Sequence, residues 1–165
     1  MKKSRSNNSL ERDFSFEEVL QKLEYFCAYQ ERSESEVIQK FESLQTDSSW
    51  LPAVLIHLKS NKFLDEERYV AAVVSGKFRI KQWGRQKIKA YLISKRIPAK
   101  QIQTALLELD EEVYHDTLRH IAERKVIASK LDMSLWKDRQ KLISYLVTRG
   151  YEMDLVLTCI NEVDV

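Results

Sequence analysis

Apolar residues recur along this chain at helical spacing, and they do so in a pattern that repeats. The first stretch opens at Ser15-Phe16-Glu17-Glu18, a capping box, with Phe14 and Val19 placed as the hydrophobic staple around it. Phe16, Val19, Leu20, Leu23 and Cys27 then mark one face of a helix. Ser33-Glu34-Ser35-Glu36 is a second capping box opening a second helix. Asp65 before Glu66-Glu67, and Asp110 before Glu111-Glu112, read as N-caps followed by acids that suit a helix N-terminus. Pro98 suits the first turn of another helix.

Sliding the chain along itself shows how these pieces are organised. At an offset of 54, RQKIKAYL (85–92) falls on RQKLISYL (139–146), and the match runs on without a gap. At an offset of 51, residues 37–58 join the same alignment. Six columns stay apolar in all three copies: Val37/Ile88/Leu142, Phe41/Leu92/Leu146, Leu51/Ile102/Val156, Val54/Ala105/Cys159, Leu55/Leu106/Ile160 and Leu58/Leu109/Val163. The first two columns make an i, i+4 pair on one helix, and the last four make an i, i+3, i+4, i+7 face on the next. Three copies in register constitute an internal repeat.

The predicted fold is therefore all-α: three tandem three-helix repeats covering 13–64, 65–109 and 110–165, after a flexible basic tail at 1–12. The third copy carries extra residues near 126–134. One such repeat is too small to bury a good core alone, so neighbours should stack into an elongated, curved, solenoid-like body that functions as a monomer.

Composition narrows the chemistry. Three glycines and two prolines in 165 residues leave little turn punctuation. Gly76, Gly84 and Gly150 are too scattered to build a phosphate-cradling loop or an oxyanion turn, so no catalytic residue is nominated and an enzyme is not expected. Cys159 lies in an apolar column and Cys27 on an apolar stripe, and both read as inert core thiols. His115 and His120 are badly spaced to share a metal and His57 stands alone, so neither metal nor cofactor is expected. No apolar run approaches a membrane span, and the expected location is the cytoplasm.

Charge is where the sequence is least ordinary. The net charge is only +2, yet no acid occurs from Arg68 to Leu107, and ten basic residues lie between Arg68 and Lys100. Solvated helices usually mix signs and so gain i, i+4 pairs. A block of one sign repels itself and suits an anionic partner, either nucleic-acid phosphate or an acidic protein surface. On a helical wheel Arg85, Lys89 and Arg96 share one outward ridge, with Lys77, Arg79, Lys81 and Lys87 around its approach. Arg139 and Lys141 hold the equivalent places in the third copy. Trp83 and Trp136, just before matched helices, are expected to anchor the repeat cores. Tyr91 and Tyr145 are expected at core edges.

The blocks RSESEVIQKF (32–41), FLDEERYVAAVV (63–74), WGRQKIKAYLISKRIP (83–98) and RQKLISYLVTRGYEMDLVLTCI (139–160) occur in an order and spacing that resembles the RecX family, modulators of the bacterial RecA recombinase. The resemblance runs from about Leu23 to the C-terminus. It implies three tandem three-helix repeats and no catalytic site. It further implies a regulator of recombination and DNA repair that lies in the groove of the RecA filament on single-stranded DNA and restrains ATP hydrolysis, strand exchange and filament growth. The basic ridge would then face acidic recombinase surface or exposed single-stranded DNA; a helical-repeat protein binding nucleic acid directly is the alternative. Two places depart from the usual family pattern. Arg96 stands where the K-G-[IV] turn has glycine, and Gln82-Trp83 replaces the Lys-Gly approach to Gly84.

Overall fold

A computed structural model describes residues 14–162; the expected basic tail at 1–12 and the column residue Val163 lie outside them. The described residues are helical, with no strand among them, and divide into two compact units that part between Leu64 and Asp65.

The first unit holds α1 (Phe16–Tyr29), α2 (Glu34–Ser43), a 3-10 turn at Ser48–Trp50 and α3 (Leu51–Ser60). Both capping boxes are formed. The Ser15 amide donates to Glu18 Oε2 at 2.8 Å while the Glu18 amide donates to Ser15 Oγ at 3.3 Å, and Ser33 repeats the exchange with Glu36. Their core is Val19, Leu23, Cys27, Val37, Phe41, Val54, Leu58 and Leu64, with Phe14 and Phe16 packed against it. Polar contacts tie α3 to its neighbours: His57 to Glu24 on α1 at 2.6 Å and Lys59 to Glu34 on α2 at 2.6 Å.

The second unit holds two three-helix repeats: α4 (Glu66–Arg79), α5 (Arg85–Ser94) and α6 (Ala99–Leu107), then α7 (Glu111–Ser129), α8 (Trp136–Thr148) and α9 (Met153–Glu162). Asp65 and Asp110 are the N-caps of α4 and α7, accepting from the amides of Arg68 and Val113. Pro98 sits at the N-cap of α6, with Ala99 the first helical residue. The apolar columns converge on one shared core, in which Ile88, Leu92, Leu142, Leu146 and Val156 are wholly buried. The extra residues of the third copy are mostly helix. They extend α7 to 19 residues where α4 has 14, and Lys130 then closes it in the left-handed region.

Left-handed residues recur at helix ends because a helix that stops by turning back needs one. Gln45, Lys62, Gln82, Arg96 and Lys130 all have positive φ, as does Gly150 at +93°. Arg96, at φ 63°, ends α5 in a Schellman pattern: the Ile97 amide reaches Leu92 O at 3.2 Å and the Arg96 amide reaches Ile93 O at 2.9 Å. An arginine thus adopts the conformation for which the family pattern uses glycine.

Candidate anionic-partner surface

The basic helix α5 has two flanks, and the structure gives them opposite fates. One flank faces the third repeat. Gly84, its N-cap, has no side chain to satisfy the first amides of the helix, so the third repeat supplies the acceptors. The Gly84 amide donates to Arg149 O at 2.8 Å, the Gln86 amide to Gly150 O at 2.9 Å and the Arg85 amide to Tyr114 Oη at 2.9 Å. Backbone lies directly on backbone: a Cβ on Gly84 would stand 2.3 Å from Gly150 C, and one on Gly150 would stand 2.4 Å from Lys87 N.

Arg85 belongs to this junction and does not form an outward ridge as the wheel predicted. Its side chain is only 16% exposed. Its guanidinium lies 4.0 Å from the Tyr114 ring centroid, 2.7 Å from Glu111 Oε1 and 3.9 Å from Glu152 Oε1. Tyr114 Oη in turn donates to Glu152 Oε2 at 2.7 Å, and burial pushes the Tyr114 phenol well above its ordinary pKa. Glu111, one of the acids that crowd the start of the third repeat, therefore also serves Arg85 as a counter-charge, together with Glu152 just before α9. Lys89 and Arg96 on the same flank remain exposed.

The opposite flank carries a ladder that alternates aromatic rings and cations. Trp83, Lys87, Tyr91 and Lys95 succeed one another at i, i+4 spacing, which stacks them on one face. Trp83 and Tyr91 meet edge to face at 6.1 Å, and Lys77 from α4 reaches over both, its Nζ 5.0 Å from the first centroid and 4.5 Å from the second. Lys87 lies 4.8 Å from Trp83, and Lys95 lies 5.5 Å from Tyr91. The rings hold the ammonium groups in place by their quadrupoles.

The third repeat continues the ladder. Lys137, Lys141, Tyr145 and Arg149 stand at the same four-residue spacing. Lys125 and Arg149 lie 4.9 and 5.0 Å from the Tyr145 ring. A groove of about 540 Å³ between α7 and α8 is lined by Lys125, Lys137, Lys141 and Tyr145, with Ser129 and Ser144. The two ladders join, because Lys87 Nζ donates to Thr148 O at 3.3 Å and Arg149 Nη1 donates to Lys81 O at 3.1 Å. One of these cations is paired: Asp138 accepts from Lys141 at 2.7 Å, a bond that holds its carboxyl below the usual range.

Of the residues expected at the interface, Lys77, Lys87 and Lys141 fall on this strip. Lys81 is exposed at its junction, and Arg79 is exposed at the end of α4. Arg139, the counterpart of Arg85, donates to Asn161 Oδ1 at 2.8 Å instead of lining the groove. Lys95, Lys125, Lys137 and Arg149 were missed; the four-residue alternation was the signal for three of them. Trp83 packs against the core as expected, but Trp136 is 72% exposed. The reason is register: at an offset of 54 Trp83 falls on Lys137, so Trp136 is turned one helical step away from the core.

A helical-repeat chain whose joined repeats carry a cation ladder, with no helix among its described residues long and apolar enough to cross a membrane, has the makings of a binding protein. Comparison with known proteins gives the family. Residues 65–106 match the second three-helix domain of RecX, and residues 112–160 match the third. The chain belongs to the RecX family of regulatory proteins.

Regulatory protein RecX of Streptococcus agalactiae serotype V is 27% identical over 143 residues, spanning 86% of this chain and 54% of that protein. Its counterpart from Clostridium beijerinckii is 29% identical over 133 residues, spanning 80% and 62%. The chain thus covers little more than half the length of these relatives. In fold it is similar to the crystal structure of RecX from Lactobacillus salivarius, with a TM-score of 0.79 at 21% identity over 90% of this chain and 96% of that one. A second regulatory protein RecX gives 0.73 at 20% identity, over 88% and 73%.

Proposed function

We propose that this chain regulates homologous recombination by binding the RecA filament on single-stranded DNA, where it restrains ATP hydrolysis, strand exchange and filament extension. The reading takes its partner from the resemblance of the sequence blocks to RecX. The observation that carries it is the continuous cation ladder from Lys95 through Lys77, Lys87 and Arg149 to Lys125. Ammonium groups braced on aromatic rings are already positioned, so less side-chain freedom is lost when an acidic surface docks. Lys81 and Arg79 stand exposed beside the strip, Lys89 and Arg96 on the other flank of α5, and all four steer approach by their field without being fixed in the ladder. The chain itself performs no chemistry on this reading, and its place of action is the cytoplasm, where the filament assembles.

The test is recombinase ATPase on single-stranded DNA with this protein titrated in below one copy per recombinase. Suppression at substoichiometric ratios supports the reading and favours a block of filament extension. Lys77, Lys87 and Lys95 replaced together by Gln should abolish it while the protein still melts cooperatively. Unchanged ATPase alongside tight, salt-sensitive binding to bare DNA would refute it in favour of a repeat protein that binds nucleic acid directly.

A further inference from the structure

Cations lie over Trp83 and Tyr91 in the second repeat and over Tyr145 in the third; the first repeat leaves two rings open. Tyr25 and Tyr29, four residues apart on α1, are 74% and 73% exposed, and among the described residues no cation or second ring lies over either. They border a groove of about 560 Å³ between α1 and α2, lined also by Lys22, Phe26, Arg32, Lys40 and Leu44. Its acid, Glu18, is committed to the backbone amide of Ser15. The apolar floor is closed: Arg32 lies 3.9 Å above the Phe26 ring and its Nε donates to Phe26 O at 3.3 Å. What remains accessible is two flat rings with three cations beside them, of which Lys22 also lies 4.7 Å from the Phe14 ring and Arg32 offers its Nη groups, its Nε being bonded to Phe26 O.

We infer that this groove is a stacking subsite for unpaired nucleotides, with Tyr25 and Tyr29 taking bases and Lys22, Arg32 and Lys40 taking the phosphates beside them. Two features favour a single strand over an acidic peptide. A peptide needs an apolar socket for an anchoring side chain, and Arg32 fills the one at Phe26. A base needs only a bare ring face, which every base can use, and cations within reach of its phosphate. The rings at i, i+4 stand about 6 Å apart at their Cβ atoms, side by side along the helix as successive splayed bases would be. The inference goes beyond the proposed regulation and needs no recombinase, so either can fail without the other.

The experiment is fluorescence anisotropy of a labelled oligothymidylate of about 20 nucleotides with the full chain, long enough to fill a single-strand site. A second probe is an abasic strand of the same length and charge. Replacing Tyr25 and Tyr29 together by Ala should weaken oligothymidylate binding by roughly fivefold or more for each ring. It should leave the salt dependence unchanged, because no charge is removed, and leave the melting curve unchanged, because both rings are exposed. Phe at both positions should bind like the parent, and the abasic strand should bind the parent as weakly as oligothymidylate binds the Ala variant.

An abasic strand bound as tightly as oligothymidylate would overturn the inference, as would an Ala variant of undiminished affinity. So would an acidic tyrosine-containing peptide that binds the parent more tightly than the oligonucleotide and loses that affinity in the Ala variant. Such a result would assign the groove to protein.

Discussion

Replacing Arg85 by Ala separates an interface residue from a structural one. The side chain is 16% exposed and makes three contacts that would be lost together. The pair with Glu111 is close, at 2.7 Å, but Glu111 is 67% exposed, so that bond is screened and contributes about 0.5 kcal/mol. The guanidinium over Tyr114 is shielded from water and adds roughly 1–2 kcal/mol. Glu152, 22% exposed and 3.9 Å away, would lose its nearest cation and keep only the Tyr114 hydroxyl, a further cost of about 0.5–1 kcal/mol. The total is about 2–3.5 kcal/mol, which for a cooperative unit of this size lowers the melting temperature by roughly 10 °C or more. Urea titration followed by circular dichroism measures it. Lys in place of Arg85 should recover only part of the loss, because an ammonium has no planar face for the ring and no fork for two carboxylates. Lys89→Ala, on the same flank but exposed, should change stability by less than about 0.5 kcal/mol. A variant at position 85 that melts like the parent and fails to bind its partner would refute this account and restore Arg85 to an exposed ridge.

The three glycines should respond quite differently to Ala. Gly150→Ala and Gly84→Ala collide with backbone and should destabilise the second unit severely, whereas Gly76→Ala meets nothing within 4 Å inside α4 and should stabilise by about 0.5–1 kcal/mol, all read by thermal melting. Arg96→Gly should raise stability by up to ~1 kcal/mol, since it relieves a left-handed arginine, while weakening binding to an anionic partner at low salt. Burial pushes both thiols from an ordinary 9.0 to about 11, so Cys27 and Cys159 should resist a thiol reagent at pH 8 and react at once in denaturant. The unfolded chain then loses its thiol protons first, so their contribution is intact below pH 9 and declines as pH rises towards 11, which urea midpoints across that range would show.

Helices and core were legible because burial repeats: an apolar column that survives two offsets marks the inside of each repeat whatever surrounds it. Capping was equally plain, since Ser15 and Ser33 need only partners three residues on. What escaped depends on neighbours that a wheel does not contain. Arg85 borders the apolar arc of its own helix, and nothing in that helix says that Tyr114 and Glu152 will close over it. Glu111 was explained completely as an acid in a first helical turn, which hid its second role as a counter-charge. Gly84 and Gly150 looked scattered because they are 66 positions apart in the chain while their backbones touch. The aromatic ladder is hidden for a simpler reason: neither its rings nor its cations alone make a pattern along the chain, and only together do they form a stripe.

The joined glycines also govern how this protein can be taken apart. Because the amides at the start of α5 end on two carbonyls and a tyrosine hydroxyl of the following repeat, a length of chain cut at residue 109 would leave the basic helix with bare donors and no lid. Anyone shortening, circularly permuting or transplanting the molecule should treat 65–162 as a single indivisible part and place joints elsewhere. Change within the lineage faces the same restriction, since an additional repeat inserted between the second and the third would have to bring its own Gly-Tyr pair and its own acids.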